Sequence, residues 1–172
     1  MTDVQAILTE ELTTLKQRIA ENVRRAGKVA SGRTLESMHV EASQTEGTLY
    51  GGLPTGAPFG TLETGRAPGA VPAGFPEIIR QWMHDKGITA PAVPYKRQPS
   101  ERWQPKYSPE ERGERMMAGA IAHKIETSGT RQFQNGTRSD IYTNEIPAAL
   151  ERIGARIFAG LSLDVEFINN SL

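Results

Sequence analysis

One amphipathic stretch near the N-terminus constrains the fold of this chain more than any other feature. Between residues 3 and 26, aliphatic side chains recur every three or four positions, at Val4, Leu8, Leu12, Leu15, Ile19 and Val23. This spacing predicts one long helix with a single apolar face. Thr2 and Gln5 fit a capping box at its start, and Gly27 fits a left-handed C-terminal cap. So long a stripe needs a partner surface, either the rest of the domain or a neighbouring subunit.

After this helix the pattern changes from helical periodicity to alternation. Met38, Val40 and Ala42 would face one side of a strand, and residues 44–47 suit a hairpin loop. Residues 48–53 would form the return strand. Gly51 and Gly52 within it indicate a bulge or a close backbone approach.

The middle of the chain alternates between irregular and helical stretches. Residues 54–76 are rich in Gly and Pro and predict loops, apart from a short piece at 59–63. A short helix should then begin at Pro76 and stop at Gly87. Its buried residues are expected to be Ile78, Ile79, Trp82 and Met83.

Two further helices and a strand are predicted towards the C-terminus. Ser108-Pro109-Glu110-Glu111 is a strong helix start. This helix would place Met117, Ala120, Ile121 and Ile125 on one face and end near Ser128-Gly129. The last helix would open near Thr143 or Asn144, with an apolar stripe at Ile146, Leu150, Ile153 and Ile157. Residues 163–167 alternate again and predict a final strand.

These elements predict a single α+β domain over residues 1–172. A long N-terminal helix and three further helices would pack on a small antiparallel sheet. Within it, residues 88–107 contain four prolines and predict an extended arm or loop. Its aromatic residues are expected to contact another subunit; they are Tyr95, Trp103 and Tyr107.

Composition excludes several classes of protein. Lysine plus arginine equals aspartate plus glutamate, 20 against 20, so the net charge does not point to nucleic acid or membrane as the main partner. There is no cysteine, which excludes disulfides and thiolate metal sites. The N-terminus lacks the features of a signal peptide, and no apolar run could span a bilayer. We therefore expect synthesis in a cytoplasm and no membrane association.

The sequence contains no pattern typical of an enzyme. No two of the three histidines, His39, His84 and His123, lie three or four residues apart, so they form no helical metal face. No nucleophile elbow, phosphate loop or dinucleotide motif is present. We expect no catalysis, no cofactor and no metal.

Two features of the basic residues allow contact with nucleic acid. The stretch 16–33 carries six cations and one acid, which is either a solvated helix face or a phosphate-binding surface. In addition, four small loops place an arginine after a glycine; these arginines are Arg33, Arg66, Arg131 and Arg138. One explanation is turn chemistry, since many turns need a residue with positive φ and glycine adopts it without steric strain. The alternative is that these arginines lie at loop tips and line a channel or an interface.

The order of short motifs resembles the neck and tail-completion proteins of tailed bacteriophages. Ser31-Gly32-Arg33-Thr34-Leu35-Glu36-Ser37 is similar to the family's Thr-Gly-x-Leu-x-x-Ser, with one extra residue after the glycine. Phe59-Gly60-Thr61-Leu62-Glu63-Thr64-Gly65 is similar to its aromatic followed by Glu-x-Gly-Thr, with Arg66 in place of the last threonine. Trp82 with Lys86-Gly87, and Ile125 with Gly129-Thr130-Arg131, match two further family features.

This resemblance implies a structural virion protein that is not an enzyme. It would form a ring of its own copies, hexameric or alternatively dodecameric, at the head–tail junction after assembly in the bacterial cytoplasm. Its neighbours would be the portal or connector and the tail-tube proteins, with non-specific contact to genomic DNA allowed. The alternative hypothesis is a nucleic-acid-binding adaptor that uses the basic stretch 16–33.

Overall fold

The computed structural model describes residues 3–45, 48–56, 59–96, 102 and 104–170. The elements are α1 (Val4–Arg25), α2 (Arg33–Glu36), β1 (Glu41–Thr45), β2 (Thr48–Gly52), α3 (Thr61–Thr64), α4 (Phe75–Asp85), α5 (Pro109–Ser128), α6 (Arg131–Gln134) and α7 (Glu145–Asn170). Four of these helices are long, and the two strands form one antiparallel sheet. The predicted α+β class is confirmed.

The chain forms two compact units, which the sequence did not predict. Unit 1 comprises the residues up to Glu63 and from Arg138 onward, and unit 2 comprises Thr64–Thr137. Unit 1 holds the long helices α1 and α7 with the β-hairpin, and unit 2 holds α4, α5 and α6.

Helix α1 begins and ends at local signals in its sequence. The N-cap is Asp3, whose side chain accepts a hydrogen bond from the Ala6 amide at 2.9 Å. The predicted capping box is therefore wrong: Gln5 donates to the Ala42 carbonyl instead, and Thr2 lies outside the described residues. The predicted C-terminal cap is confirmed, because Gly27 adopts φ 65° and the next amide bonds back to the Val23 carbonyl at 3.0 Å.

The hairpin packs closely on α1 at one glycine. Strands β1 and β2 pair without a bulge, from Glu41 opposite Gly52 to Thr45 opposite Thr48. A Cβ atom at Gly51 would lie 2.6 Å from a methyl group of Leu8 and 2.9 Å from one of Leu12. The sequence predicted either a bulge or a close backbone approach at the strand glycines. At Gly51 a close approach is observed, between the strand backbone and side chains of α1.

The core of unit 1 lies between α1, the hairpin and α7. Its most buried apolar side chains are Val23, Met38, Ile141 and Ala149, which expose 1% or less of their surface. Helix α7 runs antiparallel to α1, since Asn22 bonds to Glu145 and Glu11 bonds to Arg152. The N-terminal stripe therefore finds its partner surface largely within the same unit.

The predicted final strand is wrong. Leu163, Val165 and Phe167 alternate with acidic residues, but helix α7 continues without a break to Asn170. A strand needs a partner for its backbone groups, whereas a helix satisfies them internally. In the described chain the sheet consists of β1 and β2, and neither pairs with this segment.

Unit 2 is built on the packing of α4 against α5. The buried apolar side chains at this contact are Ile79, Met83, Ala118 and Ala122. The prediction that Ile78 and Trp82 are also buried is wrong: they expose 56% and 39% of their surface. Ile79 and Met83 lie four residues apart on the buried face of α4. Ile78 and Trp82 each precede one of them, which places these two side chains about 100° further around the helix, outside the contact.

Helix α5 begins as predicted. Ser108 caps it by accepting from the Glu111 amide at 3.1 Å, and Pro109 is the first helical residue. It also ends as predicted, at Ser128. Among the residues predicted for its apolar face, Met117, Ile121 and Ile125 are partly buried, while Ala120 is exposed.

A matched pair of leucine substitutions tests which apolar residues hold unit 1 together. Leu15→Ala removes a side chain that is 6% exposed and should reduce the free energy of unfolding by about 2–5 kcal/mol. Leu150→Ala removes one that is 62% exposed and should change it by less than about 0.5 kcal/mol. Urea titrations followed by circular dichroism would measure both. A comparable loss for the two variants would contradict this packing.

Candidate functional site

The most buried charged residue in the described part of unit 1 is Glu63, which exposes only 2% of its surface. One carboxylate oxygen accepts hydrogen bonds from three consecutive amides, of Ile141 at 2.8 Å, Tyr142 at 2.8 Å and Thr143 at 3.1 Å. The other accepts from the Thr143 hydroxyl. Four donors therefore bind this carboxylate, three of them at one oxygen.

The hydrogen bonds decide the ionisation of Glu63. Burial alone raises the pKa of this carboxyl, because removal from water disfavours the charged form. The Thr143 hydroxyl and the three amides oppose burial and hold the pKa of Glu63 below its ordinary value. Glu63 is therefore a charged anchor for the turn before α7.

Glu63 also marks the place where the chain leaves unit 1. It is the last residue before unit 2, and Arg138 is the first residue after it. The Arg138 amide donates to the Glu63 carbonyl at 3.2 Å, so the residues at which the chain leaves and re-enters unit 1 are adjacent. Nearby, Phe59 contacts the Tyr142 ring at 5.7 Å between centroids, which further joins the two segments.

Within unit 2, two of the repeated glycine–arginine loops pack against each other. The Thr130 amide donates to the Arg66 carbonyl at 2.9 Å, and the Arg66 amide donates to the Thr130 hydroxyl at 2.9 Å. A Cβ at Gly65 would lie 2.4 Å from the Phe133 nitrogen, and one at Gly129 would lie 2.6 Å from the Arg66 oxygen. Both glycines also have positive φ, so no other residue fits at either position without strain.

The four arginines that follow glycines in the repeated loops are divided between the two units. Arg33 and Arg138 lie in unit 1, and Arg66 and Arg131 lie in unit 2. Arg33 and Arg131 are exposed, but each is the first residue of a single-turn helix and does not lie at a loop tip. The expectation of loop tips is therefore wrong for these two.

The other two arginines have partners within their own unit. Arg66 donates to the Ala70 carbonyl and lies over the Phe75 ring at 5.6 Å. Arg138 forms a two-pronged ion pair with Asp140, and this pair lowers the pKa of Asp140 to about 2. Contact of any of the four arginines with DNA or a neighbouring subunit stays a prediction.

The described part of the predicted arm has contacts inside unit 2. The Tyr95 hydroxyl donates to the Tyr107 carbonyl at 3.2 Å. Arg112 lies over the Tyr95 ring at 4.5 Å, and Arg115 lies over the Tyr107 ring at 4.2 Å. These two tyrosines therefore have a place against α5. Trp103 lies outside the described residues, and contact of the segment with another chain stays a prediction.

The charged groups of α4 and α5 pair with one another. Arg80 bonds to Glu77 at 3.0 Å and to Glu114 at 3.2 Å, and Arg115 bonds to Glu111. His84 also lies 3.3 Å from Glu114. Such a network on the exposed side of two packed helices is typical of a structural ion-pair cluster.

Most of the exposed large apolar residues of unit 1 lie on α7. Of the twelve large hydrophobic residues that are exposed in the described chain, seven belong to this helix: Ile146, Leu150, Phe158, Leu161, Leu163, Val165 and Phe167. Beside its N-terminal half lies an apolar groove of about 320 Å³. The groove is lined by α1, the segment after β2 and α7, through residues that include Leu12, Leu53, Phe59, Ile146, Leu150 and Ile153.

The sequence revealed this surface only in part. The stripe at Ile146, Leu150, Ile153 and Ile157 was predicted, but not which of its residues are exposed. In the structure Ile146 and Leu150 expose 41% and 62% of their surface. Exposed apolar patches of this kind mark interaction surfaces.

Comparisons with known proteins leave the chain without a matched family. No protein-family model, no curated protein and no solved structure matches it. Among the described residues, no helix is long and apolar enough to cross a membrane. In the same part of the chain, no three His, Cys, Asp or Glu side chains are grouped so that they could hold a metal ion.

Replacement of the Glu63 carboxylate by an amide should weaken unit 1. Glu63→Gln keeps one acceptor oxygen but removes the charge, and its amino group cannot accept from the Thr143 hydroxyl. We expect a loss of about 1–3 kcal/mol in the free energy of unfolding, measured by urea titration at neutral pH. The matched control is Glu21→Gln on the exposed face of α1, which should change stability by less than about 0.5 kcal/mol.

The contribution of Glu63 should also depend on pH. Its pKa is lower in the folded chain than in the unfolded chain, where a glutamate titrates near 4.5. The stability it contributes is therefore complete above that pH and is lost as the pH falls through the folded-state pKa. The stability difference between wild type and Glu63→Gln should stay constant down to about pH 5 and shrink in more acidic solution. A difference that persists unchanged in strong acid would contradict the ionised carboxylate.

Proposed function

We propose that this protein is a structural virion protein without catalytic activity, which forms a ring at the head–tail junction of a tailed bacteriophage. Its role there would be that of a neck, tail-completion or tail-terminator protein. The ring would consist of copies of this chain, six by preference and twelve as the alternative. Its neighbours would be the portal or connector protein on one side and the tail-tube protein on the other.

The observation that carries this proposal is the apolar surface of α7. A free monomer gains nothing from exposing Phe158, Leu161 and Val165, each of which leaves about half or more of its surface in water. Cover from another protein chain would remove this apolar area from water, which is the main driving force for association. The balance of charges, 20 positive against 20 negative, leaves little repulsion between copies.

The motif order supports the assignment to this class of virion protein. Glu63 is the glutamate in the stretch that resembles the family's Glu-x-Gly-Thr signature, and its carboxylate anchors the turn before α7. Gly65 and Thr130, which belong to two of the matched motifs, lie in the packed loops of unit 2. Residues that the resemblance singles out thus have specific structural roles in this chain.

The proposal predicts the state of the chain in assembled particles. Cryo-electron microscopy of the phage should find the chain between portal and tail tube, in a closed ring of identical contacts. Light scattering with size-exclusion chromatography should find self-association of the purified chain at high concentration. Isolated single copies in the particle, with no like neighbour, would contradict the proposal.

The alternative function is a nucleic-acid-binding adaptor, and one observation favours it. The last turn of α1 carries Arg24 and Arg25, both exposed, and Arg33 is exposed close by in sequence. Clustered cations of this kind bind phosphate without reading sequence.

Salt dependence separates this alternative from the ring protein. If the end of α1 binds DNA, the double variant Arg24→Ala, Arg25→Ala should bind more weakly, and its slope of log affinity against log salt should fall by about two. Gel shifts at a series of salt concentrations would measure this. The same slope for wild type and variant would show that these arginines do not bind DNA.

A further inference from the structure

The outer edge of strand β2 carries backbone groups that the hairpin does not use. In an antiparallel ladder, hydrogen-bonded residue pairs alternate with pairs whose N–H and C=O groups point away from the partner strand. The His39 amide donates to the Pro54 carbonyl at 3.2 Å, and the register places Glu41 opposite Gly52, two residues further along, so both are hydrogen-bonded pairs. The alternate residues, whose backbone groups point outward from this edge, are Leu49, Gly51 and Leu53.

These outward groups have no partner in the part of the chain that the structure describes. The N–H and C=O groups of Leu49, Gly51 and Leu53 form no hydrogen bond with another described residue. On the opposite edge of the hairpin, by contrast, the Ala42 carbonyl accepts from the Gln5 side chain at 3.2 Å. Gly51 is exposed, so the backbone of another chain can reach the edge of β2.

Strand β2 also lacks the features that usually protect a free edge. Residues 48–53 contain no charged side chain and no proline, and β2 pairs with β1 without a bulge. Charges, prolines and bulges are the common means by which proteins prevent such an edge from adding a further strand. This edge is therefore suited to strand addition, in which an extended peptide completes the row of backbone hydrogen bonds.

The apolar groove of about 320 Å³ lies beside the same edge. Its lining includes Leu53 at the end of this edge, Leu12 of α1 and Leu150 of α7. A Cβ at Gly51 would lie 2.9 Å from a methyl group of Leu12, so the outward-bonding positions of β2 direct their side chains towards α1. Residues opposite each other on neighbouring strands point to the same side. An added strand would thus direct every second side chain towards α1 and the groove, and the others towards solvent beside Tyr50, which is exposed.

We propose that β2 binds an extended segment of another protein as an antiparallel third strand, whose alternate apolar side chains enter the groove. Its backbone bonds to Leu49, Gly51 and Leu53, which span about 13 Å, the length of a five-residue strand. A helix does not fit this edge, because its own backbone groups are already bonded internally. The inference goes beyond the proposed ring and does not depend on it.

A synthetic peptide tests strand addition on the full-length chain. The probe is blocked at both ends and has three valines that alternate with three threonines, between one lysine at each end. Amide hydrogen exchange followed by NMR should slow by about tenfold or more at Leu49, Gly51 and Leu53 when the peptide is added. The amides of Tyr50 and Gly52 already bond within the hairpin and should change little.

Methylation of the peptide backbone separates edge bonding from simple apolar docking. In an antiparallel addition the valine amides face β2 and the threonine amides face away from it. The peptide methylated at the valine nitrogens should bind about tenfold more weakly or worse, and the peptide methylated at the threonine nitrogens should bind like the parent. Fluorescence anisotropy of labelled peptides measures all three affinities. Equal affinities would show apolar docking without the strand edge and would refute the proposal, and a loss only on threonine methylation would refute the antiparallel orientation.

A matched pair of lysine substitutions tests the groove. Leu150→Lys places a charge in its lining, and Leu163→Lys changes a residue of α7 that is similarly exposed, 66% against 62%, outside the lining found in the described chain. Circular dichroism should show that both variants fold. Affinity for the parent peptide should fall by about tenfold or more for Leu150→Lys, because a charge in an apolar site must be desolvated. It should be unchanged for Leu163→Lys. The same affinity for both variants would rule out entry of the valines into the groove.

The remaining outcomes identify a different occupant or leave the ring unaffected. Slow exchange at Leu49, Gly51 and Leu53 in the peptide-free chain, increasing with protein concentration, would show that a second copy occupies the edge, and the proposal of a foreign segment would be wrong. Absence of peptide binding would overturn the strand site and leave the ring protein standing. Isolated single copies in the particle would overturn the ring, while peptide binding with the expected amide protection would still support the strand site.

Discussion

The carboxylate of Glu63 is the interaction on which the rest of unit 1 depends. It is buried and charged, and it binds three successive amides and one hydroxyl of the turn that precedes α7. Without it, the buried Ile141 amide would lose its acceptor, at a cost of about 1–3 kcal/mol, and the part-buried donors of Tyr142 and Thr143 would lose theirs. The direction in which α7 leaves this turn, and hence its packing along α1, follows from the anchor.

A second charged contact holds the same helix near its middle. Glu11, which is 7% exposed, accepts from Arg152 and Arg156 of α7 at 3.0 Å, and these bonds lower the pKa of its carboxyl. The two carboxylates hold α7 at its start and near its middle. The apolar residues that remain on its outer face are thus presented by a rigid helix, which suits them to repeated contacts between copies.

The sequence predicted what local chemistry determines and missed what depends on distant partners. The caps at Gly27 and Ser108 and the hairpin pairing follow from neighbouring residues, and all three were predicted. The strand at 163–167 was a wrong prediction, because alternation says nothing about whether a partner strand exists. The role of Glu63 could not be predicted, since its four donors come from about 80 residues further along the chain. The exposure of Leu150 could not be predicted for the same reason: periodicity identifies an apolar face but not what covers it.

The adjacency of Glu63 and Arg138 has a consequence for the order in which the molecule folds. Unit 2 is one continuous stretch, whereas unit 1 needs segments from both ends of the chain. During synthesis from the N-terminus, α1 leaves the ribosome long before α7 exists, and its apolar stripe then has only the hairpin for cover. Unit 2 can therefore be complete while unit 1 is still open. The nascent chain exposes the apolar stripe of α1 until the last helix closes over it.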